Sequence, residues 1–346
     1  MTFDSFPLFV NWELTLACNL RCRHCGSSAG KKRPDELTTD EALAICDQLP
    51  ALLVQEVDLI GGEPLLRRDW PLIAGRLTSS GITTKIVTNG LLLEPAMLQK
   101  MKEAGIGGIG ISLDGLEKTH DTLRSSPGLF HQIMHGIHLL QEAEIPTRIV
   151  TTVNALNVGE LPSLLDMLIR LGIREWQVQP VLRLGRVREE TGLQLSLAEY
   201  DRLNSFVRDS FSRAGNEGLA IIPADGYGYF TDNEVRDRFW KGCPAGRYSC
   251  GITSDGRVKG CLSLPDDYTE GDLRRRDLWD IWFDPTLFAY TRRYTFQDLG
   301  PNCASCEKGE ECKGGCSSMS VGYTGIFHND PYCFYAIQRE NKKSAD

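Results

Sequence analysis

The chain has 346 residues, 41% hydrophobic and 24% charged, with a formal net charge of -8 at pH 7. This is an ordinary globular balance, enough for one large domain or two smaller ones, and the excess of acid argues against broad nucleic-acid or membrane-surface binding. No apolar run approaches the ~20 residues of a membrane span, Met1 to Pro7 has no basic segment before a small-residue cleavage site, and twelve cysteines in such a chain point to a cytoplasmic protein with reduced thiols and bound metal.

Leu8 to Leu16 reads as the first strand, and it delivers Cys18-Asn-Leu-Arg-Cys22-Arg-His-Cys25. Three thiolates at C-x3-C-x2-C spacing can wrap one face of a small cluster. A [4Fe-4S] cube with only three protein ligands keeps one iron open to a small molecule. The alternative is a structural zinc site that borrows His24, although the spacing is unusual for a zinc knuckle. Thr38 or Thr39 then caps a helix carrying Ala42, Leu43, Ile45 and Cys46. Cys46 reads as a small buried apolar residue with no ligand role.

Val54 to Ile60 is the second strand, and Gly61-Gly62-Glu63-Pro64 follows it. Two glycines let backbone come close to a ligand, where N–H and C=O groups can hydrogen-bond a zwitterion. Alone, the same four residues also fit a plain turn. Thr83 to Val87 ends in Thr88-Asn89-Gly90, and Gly108 to Leu113 runs into Asp114-Gly115, with Ser112 near its end. Polar residues at the C-terminal ends of successive strands read as a site in β/α barrels. The competing reading is turn chemistry, since Asn-Gly and Asp-Gly are favoured turn pairs.

Leu129 to Glu144 has helical spacing, Thr147 to Val153 is a fifth strand ending at Asn154, Val158 to Leu171 is a helix, and Trp176 to Leu182 is a sixth strand. Six β/α units over about 180 residues predict an α/β fold. Its mostly parallel sheet curls into an incomplete barrel whose open side suits a large substrate. Leu184 to Lys241 then bridges, with a helix near Leu197 to Phe211 and a strand at Leu219 to Ile222. Asp225-Gly-Tyr-Gly-Tyr229 follows, and Asp225, a carboxylate among glycines and tyrosines, is the candidate proton acceptor near substrate, with a plain loop as the other reading.

From Gly242 the composition shifts, and eight of the twelve cysteines follow. Cys243, Cys250 and Cys261 come first, with Gly256 five residues before Cys261. Cys303, Cys306, Cys312 and Cys316 form a C-x2-C-x5-C-x3-C run, and Cys333 comes later. Eight thiolates satisfy two [4Fe-4S] clusters with four each; two four-cysteine zinc sites are the alternative.

C-x3-C-x2-C at the head of a run of β/α units resembles the radical S-adenosylmethionine (SAM) superfamily. The tail, with its G-x4-C and C-x2-C-x5-C-x3-C elements, resembles the SPASM subgroup, whose members carry two extra clusters. The likeness runs from about Leu8 to about Tyr335. It implies a partial (β/α)6 TIM-like barrel over 1–183, a bridge over 184–241 and a SPASM domain over 242–346. It further implies that Cys18, Cys22 and Cys25 hold the SAM-binding cluster. Gly61, Gly62, Glu63 and Pro64 would meet the SAM amino group. Thr88, Asn89, Ser112, Asp114 and Asn154 would line the ribose and methionine. Arg124 would pair with the SAM carboxylate, as charge logic also suggests; a solvated surface arginine is its alternative. In the tail, Cys243, Cys250, Cys261 and Cys316 would hold the first auxiliary cluster, and Cys303, Cys306, Cys312 and Cys333 the second. If all eight bind, neither auxiliary cluster has an open iron, and these clusters move electrons or hold the fold.

The activity so implied is reductive cleavage of SAM to a 5′-deoxyadenosyl radical that takes a hydrogen atom from substrate, the protein positioning SAM and excluding solvent. Relatives of this type mostly act on peptides or proteins, so the leading expectation is a ribosomal-peptide maturase that forms a crosslink or another modification. Formylglycine formation in a sulfatase is one alternative. Tetrapyrrole modification is another, since Gly26-Ser27-Ser28-Ala29 after the cysteine loop is similar to such relatives, which bear fewer tail cysteines. A non-enzymatic electron-transfer or scaffold protein would need no SAM pocket. Cys18 lies too near the start for an ~80–90-residue leader-binding domain (an ordinary domain size), so leader recognition is expected from a separate protein or the barrel surface. A flavodoxin- or ferredoxin-type reductant is the expected electron donor, with neither nucleic acid nor membrane as partner.

Overall fold

The first strand, β1 (Phe9–Thr15), runs parallel to β2 (Glu56–Gly61). The ladder continues in parallel through β3 (Thr83–Thr88), β4 (Gly108–Ser112), β5 (Thr147–Val153) and β6 (Glu175–Pro180). This is a computed structural model, in which residues 5–224 and 242–343 are described. Between the strands the chain returns through α1 (Thr39–Gln48), α2 (Trp70–Ser79), α3 (Pro95–Glu103), α4 (Glu117–Arg124), α5 (Leu129–Glu142) and α6 (Leu161–Arg170). Thr38 caps α1 in a capping box with Glu41, satisfying N–H groups that a helix start leaves open.

Strand periodicity sorts the two faces of the sheet. Val10, Trp12 and Leu14 of β1 and Val57 and Leu59 of β2 are buried with Ile45, Cys46, Ile73 and Leu77 of the helices. Cys46 is thus a core residue, and burial pushes its thiol up to about 12. The alternate residues, among them Asn11, Glu13, Asp58, Lys85, Arg148, Thr152 and Gln179, give the opposite, inner face a polar character.

Both edges of the sheet grow beyond six strands. After α7 (Leu197–Asn216), the strand expected near Leu219 forms as β7 (Ala220–Pro223) and pairs in parallel with β6. At the other edge β8 (Ser249–Ile252), from the cysteine-rich tail, pairs in parallel with β1, and β9 (Arg257–Lys259) and β10 (Gly271–Asp272) follow antiparallel. One ten-stranded sheet therefore carries both the barrel and the start of the tail. The tail continues through α8 (Leu278–Trp282), α9 (Ala289–Arg292), α10 (Gly309–Cys312), α11 (Ser317–Thr324) and α12 (Phe334–Lys343). Among the described residues no helix is long and apolar enough to cross a membrane. Asp225 lies outside the described residues.

Candidate functional site

β1 ends at the base of the cysteine loop. Cys18 N–H donates to Gly30 O at 3.2 Å, and Gly30 N–H to Leu16 O at 3.0 Å, closing the loop. The end of β2 lies directly against it: Gly62 N–H donates to Thr15 O and Glu63 N–H to Ala17 O, each at 2.8 Å. A Cβ on Gly61 would stand 2.2 Å from Thr15 O, and one on Gly62 2.2 Å from Ala17 O; Gly61 also has φ +141°. Both glycines are required for this approach of backbone to backbone.

Glu63 is fully buried, and its carboxylate accepts from Thr88 Oγ1 at 2.9 Å, Asn89 N–H at 2.8 Å and Leu65 N–H at 3.2 Å. Burial pushes its carboxyl up to about 7 against these donors. Its structural work is to join the ends of β2 and β3; Pro64 opens the short 3-10 turn that follows.

Each of the three loop sulfurs has a nitrogen donor. Leu20 N–H lies 3.4 Å from Cys18 Sγ, with Asn89 Nδ2 at 3.9 Å. Arg124 Nη1 lies 3.9 Å from Cys22 Sγ, and Ala29 N–H 3.4 Å from Cys25 Sγ. Donors around a sulfur favour the thiolate that a cluster requires. Burial nevertheless pushes the Cys18 and Cys22 thiols up, Cys22 against the pull of Arg124. Cluster binding must therefore displace protons. Three crowded, donor-flanked thiols at a strand end fit a three-cysteine cluster.

Arg124 is buried rather than solvated: its Nε and Nη2 each lie 2.7 Å from Asp114 Oδ2, which also meets His24 Nε2 at 3.1 Å. Thr152 N–H donates to Asp114 Oδ1 at 2.9 Å. Burial opposes ionisation of Asp114, yet Arg124 and His24 hold its carboxyl well below the usual range. Asp114 is thus the inner partner of a charge cluster behind the cysteines. Asn154 closes its own turn, accepting from Leu156 N–H at 3.0 Å and donating to Thr152 O at 3.1 Å. Ser112 stands half-buried at the end of β4.

Three features of this region carry no sequence signal. Arg186 donates from Nε to Cys22 O at 2.7 Å and from Nη1 to Ala29 O at 2.9 Å. Gly185, at φ +53°, leaves no room for a Cβ, which would stand 2.3 Å from Gly26 O. Asn157 Nδ2 donates to Asp114 O at 2.6 Å. All three belong to segments far from the cysteine loop in sequence, and no spacing rule connects them to it.

Beside the loop lies a cavity of about 540 Å³. His24, Gly26 and Ser27 bound it on the loop side, Thr152 and Gln179 at the strand ends, and Leu262 to Asp266 on the tail side. Most of its charge is already paired. Glu13 accepts from Arg33 Nε at 2.6 Å, and Asp266 takes Arg33 Nη1 at 2.8 Å and Lys259 Nζ at 3.3 Å. The remaining cation on the wall, Arg188, has no ion pair among the described residues.

None of the twelve cysteines, all within the described residues, is in a disulfide. In the tail, burial pushes the Cys312 thiol up, with Cys333 and Cys303 adding to it, and the Cys303 thiol up to about 11, with Cys306 adding. Cys303, Cys312 and Cys333 therefore lie within electrostatic reach of one another, and Cys306 within reach of Cys303. Cys250 is buried on β8. Ser318 Oγ, in the helix that Cys316 caps, lies 3.6 Å from Cys261 Sγ.

The radical SAM superfamily model matches residues 12–168, and the SPASM iron–sulfur cluster-binding domain matches residues 243–307. An AdoMet-dependent heme synthase of Methanosarcina barkeri is 31% identical over 95% of this chain and 97% of its own. A mycofactocin maturase, MftC, of Mycobacterium ulcerans is 30% identical over 94% of this chain and 88% of its own. The crystal structure of Streptococcus suis SuiB bound to S-adenosylmethionine superposes with a TM-score of 0.76 at 22% identity, over 95% of this chain and 77% of that one. Two relatives at 30% identity or more, each matched along nearly its whole length, make the chain a member of the radical SAM superfamily, an enzyme that uses SAM and [4Fe-4S] chemistry and carries a SPASM domain.

Proposed function

We propose that this enzyme matures a peptide, abstracting hydrogen from one of its residues. The observation that carries this reading is the charge balance of the cavity beside the cysteine loop. Arg33 and Lys259 are already neutralised by Glu13 and Asp266, so among the described residues Arg188 is left as the cation for an incoming anion. A peptide side chain, or one carboxylate, matches such a wall. A porphyrin with several carboxylates would leave most of them without a partner, and buried unpaired charge is costly. The maturase relative supports the same substrate class.

When bound, SAM and its cluster supply a 5′-deoxyadenosyl radical. In this reading Cys18, Cys22 and Cys25 ligate that cluster, and the strand-end residues Gly61, Gly62, Pro64, Ser112 and Arg124 face SAM. Glu63, Asp114 and Asn154 act through the backbone and Arg124 that they hold. The eight tail cysteines ligate two closed auxiliary clusters. Tetrapyrrole chemistry is the second reading, favoured by the heme synthase that shares 31% of its residues along 95% of the chain.

The test offers the reconstituted, reduced enzyme either peptides encoded beside its gene or an iron porphyrin with propionate side chains. The readouts are 5′-deoxyadenosine above the substrate-free rate and the mass of the product. A peptide mass change with stimulated release supports maturation. Stimulation by the porphyrin alone, with loss of mass from the macrocycle, would replace it with the second reading.

A further inference from the structure

Tyr290 lies in α9, and its hydroxyl oxygen is buried with no hydrogen-bond partner. Buried hydroxyls ordinarily find partners, and one left alone calls for an explanation. The ring is firmly placed: it stacks on Phe327 with centroids 4.3 Å apart and planes 7° from parallel. Its backbone carbonyl lies 2.6 Å from His328 Nε2, while His328 Nδ1 lies 2.7 Å from Lys313 O. Room for the hydroxyl is made by the absence of a side chain at Gly260, where a Cβ would stand 2.1 Å from the Tyr290 oxygen. Gly260 immediately precedes Cys261. Burial opposes ionisation of this phenol most, and the nearby charges that add to it are led by Cys243 and Cys261, with Glu270 and Cys250 after them. The hydroxyl therefore packs against Gly260, the residue before Cys261, within electrostatic reach of three of the four cysteines assigned above to the first auxiliary cluster.

We propose that the Tyr290 hydroxyl donates a hydrogen bond to a sulfur of the first auxiliary cluster, and that this bond raises the reduction potential of that cluster. The inference rests on the assignment of that cluster to Cys243, Cys250, Cys261 and Cys316. A phenol is a donor that a thiolate or sulfide can accept from, and hydrogen bonds to the sulfurs are among the levers that set iron–sulfur potentials. Stabilising the extra negative charge of the reduced cube moves the potential up. Tyr290 is a positioning and tuning residue here, since it reaches the substrate only through the cluster.

The test is Tyr290→Phe in the full-length, anaerobically reconstituted enzyme, followed by a potentiometric titration read by EPR. One couple should move down by about 59 mV, which is about tenfold less reduced cluster at a fixed potential. The other couples and the iron count should stay as in the wild type. In the wild type, one solvent-exchangeable proton coupled to that cluster should appear in ENDOR spectra and vanish in Tyr290→Phe. Unmoved potentials at full iron content overturn the proposal. Loss of iron in Tyr290→Phe assigns the residue to packing and overturns it as well. A wild-type protein with only one couple removes the auxiliary-cluster assignment itself, and its low iron count distinguishes that outcome from a failure of Tyr290 alone.

Discussion

Arg186 Nε donates to the carbonyl of Cys22 at 2.7 Å across 164 residues of sequence. The same guanidinium holds Ala29 O, and the Arg186 N–H holds Cys25 O at 3.1 Å. One side chain from beyond β6 thus fixes the curvature of a loop that starts at β1. Arg186→Ala removes two charge-assisted hydrogen bonds and leaves two carbonyls in search of water. We expect a loss of about 2 kcal/mol in urea unfolding of the apo protein and most of the barrel-cluster iron. Arg186→Lys should recover little, because an ammonium cannot span both carbonyls as the fork does. Full iron in Arg186→Ala would show that the cysteines shape the loop without help.

Gly62→Ala tests the contact between β2 and the loop. The added Cβ would meet Ala17 O at 2.2 Å, and backbone on both sides must shift. The expected result is a destabilisation of about 2 kcal/mol or more, with about four irons lost and the auxiliary clusters kept. Gly75→Ala, on α2 with nothing within 4 Å of the added atom, is the control and should be neutral or slightly stabilising. Equal iron contents in the two variants would remove the steric account.

His120 gives the fold an acid limit. Its Nδ1 accepts from Asp114 N–H at 3.0 Å, which requires an unprotonated nitrogen there, and burial pushes it down from 6.5 to about 4 against the pull of Asp114. A base whose folded value lies below its unfolded one contributes fully above pH 6.5, and that contribution is lost as the pH falls from 6.5 toward 4. At pH 5.5 the apo protein should be about 1 kcal/mol less stable than at pH 7.5 on this account alone. His120→Asn keeps an acceptor and cannot titrate, so its stability should fall less over the same interval. Parallel pH profiles for wild type and His120→Asn would assign the acid sensitivity elsewhere.

The strands and the cysteine loop were legible because they depend on local pattern. Val10, Trp12 and Leu14 alternate with polar residues, and three cysteines within eight residues need no partner from afar. The polar residues at the strand ends were legible as a group, yet their orientations were not. Glu63 and Asn154 turn toward backbone and Asp114 toward Arg124, choices set by burial in three dimensions. Arg186 and Tyr290 carried no signal at all, since each meets its neighbours across long stretches of chain. The tail strand β8 is four residues long and joins β1 in a parallel pair, which no hairpin or spacing rule announces.

Only three residues separate Cys312 from Cys316, and two of them are glycines at φ +75° and +79°. A Cβ on Gly314 would stand 2.4 Å from His328 Cα, and one on Gly315 2.5 Å from Asp330 Oδ2. The chain turns sharply there, with Cys312 in electrostatic reach of Cys303 and Cys333 and Cys316 capping α11, whose Ser318 Oγ lies 3.6 Å from Cys261 Sγ. If the turn separates two four-cysteine sets, iron loss follows set membership. Cys316→Ala and Cys261→Ala should each lose about four of about twelve irons, and together still about four, because both remove the same cube. Cys316→Ala with Cys303→Ala should lose about eight. Closing a long loop with metal stabilises it, so Cys316→Ala should also loosen the tail and abolish peptide modification. SAM cleavage to 5′-deoxyadenosine should partly survive, since the barrel cysteines are untouched. Loss of about eight irons in Cys316→Ala with Cys261→Ala would put those two cysteines in different sets. Full peptide modification by Cys316→Ala would show that the first auxiliary cluster is dispensable to the reaction.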